Sequence, residues 1–489
     1  MSVTIRCWPA LTSQRIPASL HGLSIAHAGQ CIYDGIRVEE DAAIPNRKGI
    51  RLDVLAALTH LRIPVISWPG RSFSREYHWK HGVCRKEQRR LTTNASAQQL
   101  EPNTFGTEDF LYFCRELGTV PCLQVNTHTG RPQEARDWVE YCNFPGCSTL
   151  AELRSQAGSA KPHNVPFWDL AAAPFNSSPY FATHYAERYC SFAAAMKAIA
   201  PDIHLWAGPG TPLQELPKNW FADFVQSIVP TLLPQAFTTP CRLSVPAPED
   251  CNQNSSCQSY VQIHELEDKI KALHGLLRYY QPEHDFSLTV NDWRLSEDNL
   301  IQELTEPRRT IQAALLGASF LHSMHRLAPL VSSALFGPAI NVGQCLAVTQ
   351  GERIYLTPLY HIFDIMRPHR EGRLVAVKSS GTELPAESLQ PSRPLLDICA
   401  SLTKKKLYLT VINASQTETL EGYVDIRDAT ISSASGRMVK GSKLTDENNW
   451  ENPSLINAKR LRPLLDNEKL PCSFPPLSVT AFSLSLSAR

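Results

Sequence analysis

Residues 52–73, LDVLAALTHLRIPVISWPGRSF, set the pattern from which the fold is predicted. The segment VLAALTHL (54–61) has the apolar spacing of an amphipathic helix. The short apolar run IPVISW (63–68) directly follows it and has the composition of a buried strand. This stretch therefore predicts one helix that leads into one strand.

The same order of helix and strand recurs from about residue 50 to residue 370. The further pairs are FLYFCREL (110–117) before VPCLQVN, YCSFAAAMKAI (189–199) before IHLWAG, and ELEDKIKALHGLLRYY (265–280) before FSLTVNDW, and TIQAALLGASFLHSM (310–324) closes the series. So many repeats favour an α/β fold, a (β/α)8 TIM barrel, over an open sheet. Neither GxGxxG nor GxxxxGK[ST] occurs, which removes the usual nucleotide-binding reason for an open sheet.

After residue 370 the sequence changes to short alternating runs separated by Gly, Ser, Asn and Pro. Examples are RLVAVKS (373–379), LYLTVINAS (407–415), LEGYVDI (420–426) and SVTAFSLSLS (478–487). This texture predicts an antiparallel β-sandwich, to which SVTIRCW (2–8) could add a strand. The expected domains are an N-terminal strand of the sandwich over 1–15, the barrel over 16–370 and the β-sandwich over 371–489.

The composition is that of a globular protein with more than one domain. The 489 residues are 43% hydrophobic and 19% charged, which excludes a largely disordered chain. Lys and Arg number 48 and Asp and Glu 47, so no net field favours nucleic acid or a membrane surface. The first twenty residues lack the apolar core of a signal peptide, and no apolar run reaches the ~20 residues of a membrane span. A cytoplasmic protein is expected.

The cysteines give no metal-binding spacing. Fourteen of them are scattered without CxxC pairs, and reduced thiols are expected. Cys241, Cys251 and Cys257 are the nearest approach to a cluster, in a polar stretch that is expected to form a loop and could cover the barrel mouth as a lid. No metal and no cofactor are therefore predicted.

Several motifs resemble the intracellular α-L-arabinofuranosidases of glycoside hydrolase family 51. They are HAGQCIYDGI (27–36), IPNRKGIRLDVLAAL (44–58), IPVISWPGRSF (63–73), EYHWKHGV (76–83), NTFGTEDF (103–110), ARDWVEYCNF (135–144) and YLTPLYHIF (355–363). They follow the order and spacing of that family from about residue 20 to 365. The resemblance implies a retaining glycosidase built from a (β/α)8 barrel and a C-terminal β-sandwich.

The same resemblance implies two catalytic carboxylates about 5 Å apart, and this chain lacks the pair. In FWDLAAAPFN (167–176), Ala172 and Ala173 stand where the family has the Asn and the acid/base Glu. In VNDWRL (290–295), Asp292 takes the place of the nucleophilic Glu. Its carboxylate is withdrawn by ~1.5 Å, and a misplacement of about 1 Å can cost a hundredfold in rate. The active site is therefore expected to be degenerate.

Sugar-binding positions of the family differ as well. Ala26 replaces a Glu, Ser67 an Arg, Gln235 a His, Phe237 a Tyr and Pro338 a Gln, while Arg71 and Ser72 replace a Gly-Asn pair. Furanose hydroxyls without protein partners cost about 1–3 kcal/mol each, so sugar binding is not expected to survive. The apolar replacements suit a greasy ligand with few polar anchors.

The substrate-binding set expected at the barrel mouth combines these positions with neighbouring motif residues. It comprises Ala26, His27, Ser67, Trp68, Arg71, Phe73, Asn126, Trp168, Ala172, Ala173, Phe175, Gln235, Phe237, Trp293 and Pro338. The catalytic candidates are Asp292 as a general acid, and His128 and His325 as proton-transfer or donor groups. The alternatives are a structural Asp292 paired with Arg294 or Arg71, satisfied histidines, and an Arg71 that is either a solvated loop charge or a ligand anchor.

Three functions follow from this set. The first is a repurposed fold that isomerises or cyclises an apolar small metabolite in specialised metabolism, with a pericyclic ring closure among the reactions that need no carboxylate pair. The second is a non-catalytic pseudo-glycosidase that binds or supports a partner, and the third is residual hydrolysis through Asp292. A homo-oligomer is possible, because members of the resembled family often assemble.

Overall fold

The structure is a computed structural model that describes residues 2–95, 98–170, 180–217, 219–246, 253–297, 308–380, 396–404, 406–466 and 469–488. The strands in chain order are β1 (Ser2–Arg15), β2 (Gly22–Ser24), β3 (Asn46–Arg47), β4 (Ile50–Arg51), β5 (Val65–Trp68), β6 (Thr92–Asn94), β7 (Gln99–Glu101), β8 (Val120–Gln124), β9 (Phe167–Asp169), β10 (His204–Ala207), β11 (Ala236–Val245), β12 (Ser287–Glu297), β13 (Val331–Phe336), β14 (Ala347–Gln350), β15 (Arg353–Leu356), β16 (Arg373–Ser380), β17 (Leu396–Thr403), β18 (Lys406–Asn413), β19 (Leu420–Ile426), β20 (Ala429–Lys440), β21 (Lys459–Leu461), β22 (Leu470–Phe474) and β23 (Ser478–Ala488).

The α-helices are α1 (Leu52–Leu61), α2 (Arg71–Ser74), α3 (Thr107–Leu117), α4 (Pro132–Asn143), α5 (Thr149–Gln156), α6 (Tyr180–Lys197), α7 (Trp220–Ser227), α8 (Gln253–Tyr280), α9 (Ile311–Arg326) and α10 (Pro358–Met366). Short 3-10 helices cover Ala18–His21, Trp79–Gly82, Lys86–Gln88, Leu213–Glu215, Pro230–Leu232 and Arg367–His369. Among the described residues, no helix combines the length and apolar character that a membrane crossing needs.

The parallel strands close into a barrel in the order β2, β5, β8, β9, β10, β11, β12, β13. Their order around the barrel is their order along the chain, and helices follow most of them, so the predicted (β/α)8 barrel is confirmed. The helix expected at 265–280 begins earlier, at Gln253. The stretch 241–260, expected as a loop, belongs in part to β11 and α8, and residues 247–252 lie outside the described part.

Side chains on the barrel strands alternate between the interior and the surrounding helices. Val65, Cys122, Trp206, Ala236 and Leu335 pack together as a small apolar cluster inside the barrel. Alternate positions on the same strands belong to the larger core shared with the helices; they include Ile66, Trp68, Leu123, Trp168, Leu205 and Phe237. The interior beyond the small cluster, toward the carboxyl ends of the strands, is occupied by polar side chains.

Strands β1 and β16 to β23 form a largely antiparallel sheet in the order β21, β20, β23, β18, β17, β16, β1, β19, β22. Strand β1 pairs antiparallel with β16 and parallel with β19. Apolar side chains from both ends of this strand order share one core, for example Leu409 and Leu484 with Leu420 and Phe474. The sheet therefore folds over itself, and the predicted C-terminal β-sandwich is confirmed. It packs against the barrel through α9 and α10.

Candidate functional site at the barrel mouth

A chain of buried polar side chains crosses the barrel at the carboxyl ends of the strands. Asn291 on β12 donates from Nδ2 to Oδ2 of Asp169 on β9 at 2.6 Å. Ser67 on β5 donates from Oγ to Oδ1 of the same Asn291 at 3.3 Å. All three residues are at most 1% exposed. The Ser67 hydroxyl is thus hydrogen-bonded across the barrel to strand β12.

Arg71, the first residue of α2, extends its guanidinium over this chain. Its Nη2 lies 3.9 Å from Oδ2 of Asp169 and 3.5 Å from both Oγ1 of Thr238 and the carbonyl oxygen of Asn291. The side chain is only 8% exposed, so the alternative of a solvated loop charge is wrong. Among the described residues, Nε and Nη1 of Arg71 have no hydrogen-bond partner. The mouth therefore holds a buried guanidinium, and two of its nitrogens have no acceptor among the described residues.

The turn before Arg71 depends on Gly70. Gly70 has a φ of 102°, and a Cβ built on it would lie 2.4 Å from the Cβ of Ala26. Its amide donates to Oε1 of Gln124 at 2.8 Å. The small side chains at positions 26 and 70 allow the loops after β2 and β5 to touch. This contact places α2, and Arg71 with it, at the edge of the mouth.

Asp292 occupies a β-bulge rather than a regular strand position. It is the extra residue of β12 in the ladders to both β11 and β13, and its φ is 67°. Its carboxylate forms a short ion pair with Nη2 of Arg294, and the Asp292 side chain is 7% exposed. The structure thus shows the alternative in which Asp292 is paired with Arg294.

The bulge also reverses the side to which the next residue points. Asn291 faces the barrel interior, but Trp293 stacks on Phe320 of α9 with ring centroids 4.2 Å apart. Trp293 is fully buried between barrel and helices, so its expected place at the mouth is wrong. Regular alternation would have put both residues on one side.

Phe237, Trp168 and Gln235 also lie away from the mouth. Phe237 packs on Phe286 at 5.1 Å and on helix α7, and the Trp168 indole donates to the carbonyl of Val165. Gln235 precedes β11, at the end of the barrel opposite the mouth, where its side chain accepts the amide proton of Leu205. The expected positions are wrong because β11 begins at Ala236 and these side chains point outward.

His27 belongs to a buried hydrogen-bonded group that the sequence did not reveal. Its Nδ1 lies 2.7 Å from Oε2 of Glu101, and the indole Nε1 of Trp68 donates to its Nε2 at 3.0 Å. Because Nε2 accepts, the hydrogen of a neutral His27 sits on Nδ1 and points at Glu101. Tyr33 donates a short hydrogen bond to the other oxygen of this carboxylate. His27 is thus a positioning group rather than an open ligand contact.

Burial raises the pKa of Glu101, but hydrogen bonds from His27, Tyr33 and the Asn103 amide outweigh it and hold the pKa below its usual value. Phe73 packs on the His27 ring at 4.8 Å, and Trp68 stacks on Phe110 at 5.3 Å. Phe73 and Trp68 therefore form the wall behind the mouth. Glu101 stands just before the motif NTFGTEDF, and this position is the one signal in the sequence that could have pointed to its role as the partner of His27.

Two of the remaining candidates, Asn126 and His128, lie in the loop after β8. Asn126 accepts the amide protons of His128, Thr129 and Gly130, so it shapes the loop after β8. His128 is largely exposed in this loop. The partial burial of its ring, together with the nearby charges of Arg75 and Arg188, lowers its pKa.

His325 does not face the mouth as expected. It lies in the last turn of α9, which leads to the amino end of β13, and it is fully buried against the sandwich. Ala26 and Pro338 are half-buried in the loops after β2 and β13, at the mouth. Ala172, Ala173 and Phe175 lie outside the described residues, in the segment that follows Asp169 and Leu170.

These features define a (β/α)8 barrel with buried polar side chains at its mouth and a C-terminal β-sandwich. Two family models match the chain: the α-L-arabinofuranosidase 1 domain over residues 57–225 and the α-L-arabinofuranosidase C-terminal domain over 290–478. The chain therefore carries both of the domains that these α-L-arabinofuranosidase models describe.

Two curated relatives show how the similarity is distributed. An intracellular exo-α-L-arabinofuranosidase of Bacteroides ovatus is 25% identical over 467 residues, which cover 93% of this chain and 90% of that protein. The α-L-arabinofuranosidase C of Emericella nidulans is 38% identical over 182 residues, 37% of this chain and 36% of that protein. The aligned part thus spans about a third of the fungal relative.

Solved structures show the same fold. The GH51 arabinofuranosidase of Xanthomonas axonopodis pv. citri superposes with a TM-score of 0.90 at 21% identity and covers 99% of this chain and 100% of its own. The α-L-arabinofuranosidase of Thermotoga maritima, in its arabinose complex, gives a TM-score of 0.86 at 23% identity, with 99% and 100% covered. These structures extend the family's barrel and sandwich to the whole chain.

Proposed function

We propose that this chain has lost glycoside hydrolase chemistry and that its barrel mouth binds a small metabolite for a non-hydrolytic conversion, an isomerisation or a cyclisation. The observation behind the proposal is that Asp169 and Asp292, which lie at or near the carboxyl ends of barrel strands, each face an arginine. Each carboxylate is thus directed at a protein cation rather than left open to a glycosidic oxygen.

The loss of hydrolysis follows from what retention requires. The acid/base must protonate the leaving oxygen while a second carboxylate attacks from about 5 Å away. Position 173 is Ala. Asp292, which the resemblance puts at the nucleophile position, lies on a β-bulge and is paired with Arg294. Residual hydrolysis through Asp292 is therefore the least supported of the alternatives.

A conversion without a carboxylate pair can draw on confinement and on one strong donor. Holding a substrate in its reactive conformer and donating to a polarised carbonyl are both established sources of rate. Arg71 offers a buried guanidinium for that donor role, and the small side chain of Ala26 at the mouth leaves room for an apolar body. The proposed ligand is an apolar metabolite with a polar anchor. We further propose that the protein is cytoplasmic and can assemble into a homo-oligomer.

A non-catalytic pseudo-glycosidase is the second candidate. It is favoured by the closed network of Ser67, Asn291 and Asp169, in which every named polar group already has a partner. Such a network can keep the barrel folded without taking part in any reaction. In that case the mouth would bind a molecule or a partner without converting it.

The test compares the small molecules of the source organism with and without the gene, by accurate mass and retention time. A lost product replaced by a precursor of identical mass supports isomerisation or cyclisation. An unchanged profile while the gene is expressed supports the pseudo-glycosidase, and accumulation of pentose-bearing compounds overturns the proposal in favour of hydrolysis. The purified chain, assayed on a nitrophenyl α-L-arabinofuranoside beside an active family member, should release no nitrophenol.

Once a precursor is identified, Arg71→Gln should reduce its conversion at least about tenfold, since one charged donor is worth ~1.5–3 kcal/mol. The matched control is Arg75→Gln in the same loop. Equal conversion by Arg71→Gln and the wild-type chain would remove Arg71 from the site.

A further inference from the structure

Four histidines and one cysteine from four separate segments of the chain lie together between the barrel and the β-sandwich. They are His21, His322, His325, His369 and Cys399, and each is at most 2% exposed. They come from the 3-10 helix Ala18–His21, from α9, from the 3-10 helix Arg367–His369 and from β17. The mouth and its proposed chemistry use none of them.

Three of these side chains have the arrangement of metal ligands. The Sγ of Cys399 is 3.7 Å from Nδ1 of His325, and one ligand atom from each of His325, His369 and Cys399 lies within 4.8 Å of the other two. Tetrahedral Zn²⁺ has bonds of about 2.3 Å to sulfur and about 2.0–2.1 Å to nitrogen, which spaces its ligands about 3.3–3.6 Å apart. We propose that His325, His369 and Cys399 bind a Zn²⁺ ion that joins the barrel to the β-sandwich.

The remaining polar groups fit the supporting roles around such an ion. Nε2 of His325 lies 2.8 Å from Nε2 of His21, which leaves Nδ1 of His325 directed at Cys399. The two nitrogens of His369 lie 2.9 Å from Oγ of Ser401 and 3.0 Å from Oγ1 of Thr410. On metal binding, one nitrogen of His369 would exchange its hydroxyl partner for the metal, while the hydroxyl at the other nitrogen would keep the ring oriented. A second partner on each ligating imidazole is the usual arrangement in metal sites.

Two arginines lie near the cluster, and the first, Arg370, donates from Nη1 to the carbonyl oxygens of Leu61 and Arg62. Arg326, the nearest arginine on α9, is already paired with Asp397 at 2.8 Å and with Glu267 at 3.1 Å. Asp397 also lies 3.2 Å from Nδ1 of His322. On binding, the S–H bond of Cys399 breaks, its electron pair forms the bond to Zn²⁺, and the proton leaves to solvent.

A cavity borders the cluster on the side of His369. This residue and Thr410 line a cavity of about 350 Å³ between α10 and the sandwich, whose wall also includes Tyr408, Arg437 and Arg460. Hydrated ions could enter there without opening the barrel. The fourth coordination position, which the three side chains leave open, would take a water from this cavity.

The test loads the untagged full-length chain with Zn²⁺ or Co²⁺, removes free ions by gel filtration and measures metal per chain. We expect about one ion per wild-type chain, a Zn²⁺-dependent rise in Tm, and a sulfur-to-cobalt charge-transfer band in the Co²⁺ form. Cys399→Ser should lose the band and His369→Asn should weaken Co²⁺ binding at least about tenfold. Cys472→Ser, in the sandwich away from the cluster, is the matched control and should keep the band.

Two results overturn the proposal. One is a wild-type chain that retains no Zn²⁺ or Co²⁺ and shows no shift in Tm, a result that needs no variant. The other is a charge-transfer band that persists in Cys399→Ser, because the cobalt would then be bound by another of the fourteen cysteines. Should Cys399→Ser fail to fold, His369→Asn and the wild-type spectrum decide. None of these readouts depends on activity at the mouth.

Discussion

The side-chain amide of Asn291 spans the inside of the barrel to donate to the carboxylate of Asp169, so strands β12 and β9 are joined through the interior as well as through their neighbours. Arg71 lies on the same carboxylate at 3.9 Å. The carboxyl ends of the barrel strands are thereby crossed by a buried ion pair and an amide. Buried charges of this kind are costly to separate.

Replacement of Asp169 by Asn should destabilise the chain strongly. It leaves the buried Arg71 guanidinium without its counter-charge, and breaking a buried pair costs about 3–5 kcal/mol. Urea unfolding of Asp169→Asn, of Arg71→Gln and of the double variant measures the free energy of unfolding. We expect the double variant to be more stable than the sum of the single losses predicts, by about 1–3 kcal/mol. Strictly additive losses would show that the two side chains do not interact.

The sequence predicted the architecture well because periodicity and motif order depend on local spacing. It predicted the mouth poorly, because the direction of a side chain depends on details that a motif does not record. One extra residue at Asp292 turned Trp293 outward, and the start of β11 at Ala236 put Gln235 at the opposite end of the barrel. Glu101 and Asn291 escaped notice, since a single buried polar residue carries no periodic signal. The His325 cluster depends on contacts between distant segments.

The Glu101 carboxylate should make stability depend on acid pH. Its pKa in the folded chain lies below the ordinary value of 4.5, so its contribution is fully present above about pH 4.5 and is lost as the pH falls through the folded value. Urea midpoints measured between pH 3 and pH 7 should therefore fall less steeply for Glu101→Gln than for the wild-type chain. Glu152→Gln, which changes an exposed residue of α5, is the control and should follow the wild type. Parallel curves for all three would contradict the assignment.

Trp293→Ala should cost about 3–5 kcal/mol in free energy of unfolding, the usual loss for a buried aromatic residue. The physical reason is its stack on Phe320 and its contact with Phe336 at 4.7 Å. Trp293→Phe keeps a ring in the same space and should lose less than half as much. Denaturant titration of both variants tests this, and a loss below about 1 kcal/mol for Trp293→Ala would place the indole outside the core.

The backbone at Asp292 gives a matched pair of variants. Both Asp292→Gly and Asp292→Ala remove the ion pair with Arg294, but only Gly adopts a φ of 67° without steric cost. We therefore expect Asp292→Gly to be more stable than Asp292→Ala by about 1 kcal/mol. Thermal unfolding of the two proteins in one buffer is the measurement. An Ala variant as stable as the Gly variant would mean that the bulge relaxes.

The place of β1 in the sheet has a consequence for the order in which the protein can be completed during synthesis. Strand β1 ends at Arg15, but its partners β16 and β19 begin at Arg373 and Leu420. The ribosome must therefore make the entire barrel before the first strand can find its neighbours. Until then, both edges of β1 lack their partner strands. Contacts of such long sequence separation also form slowly.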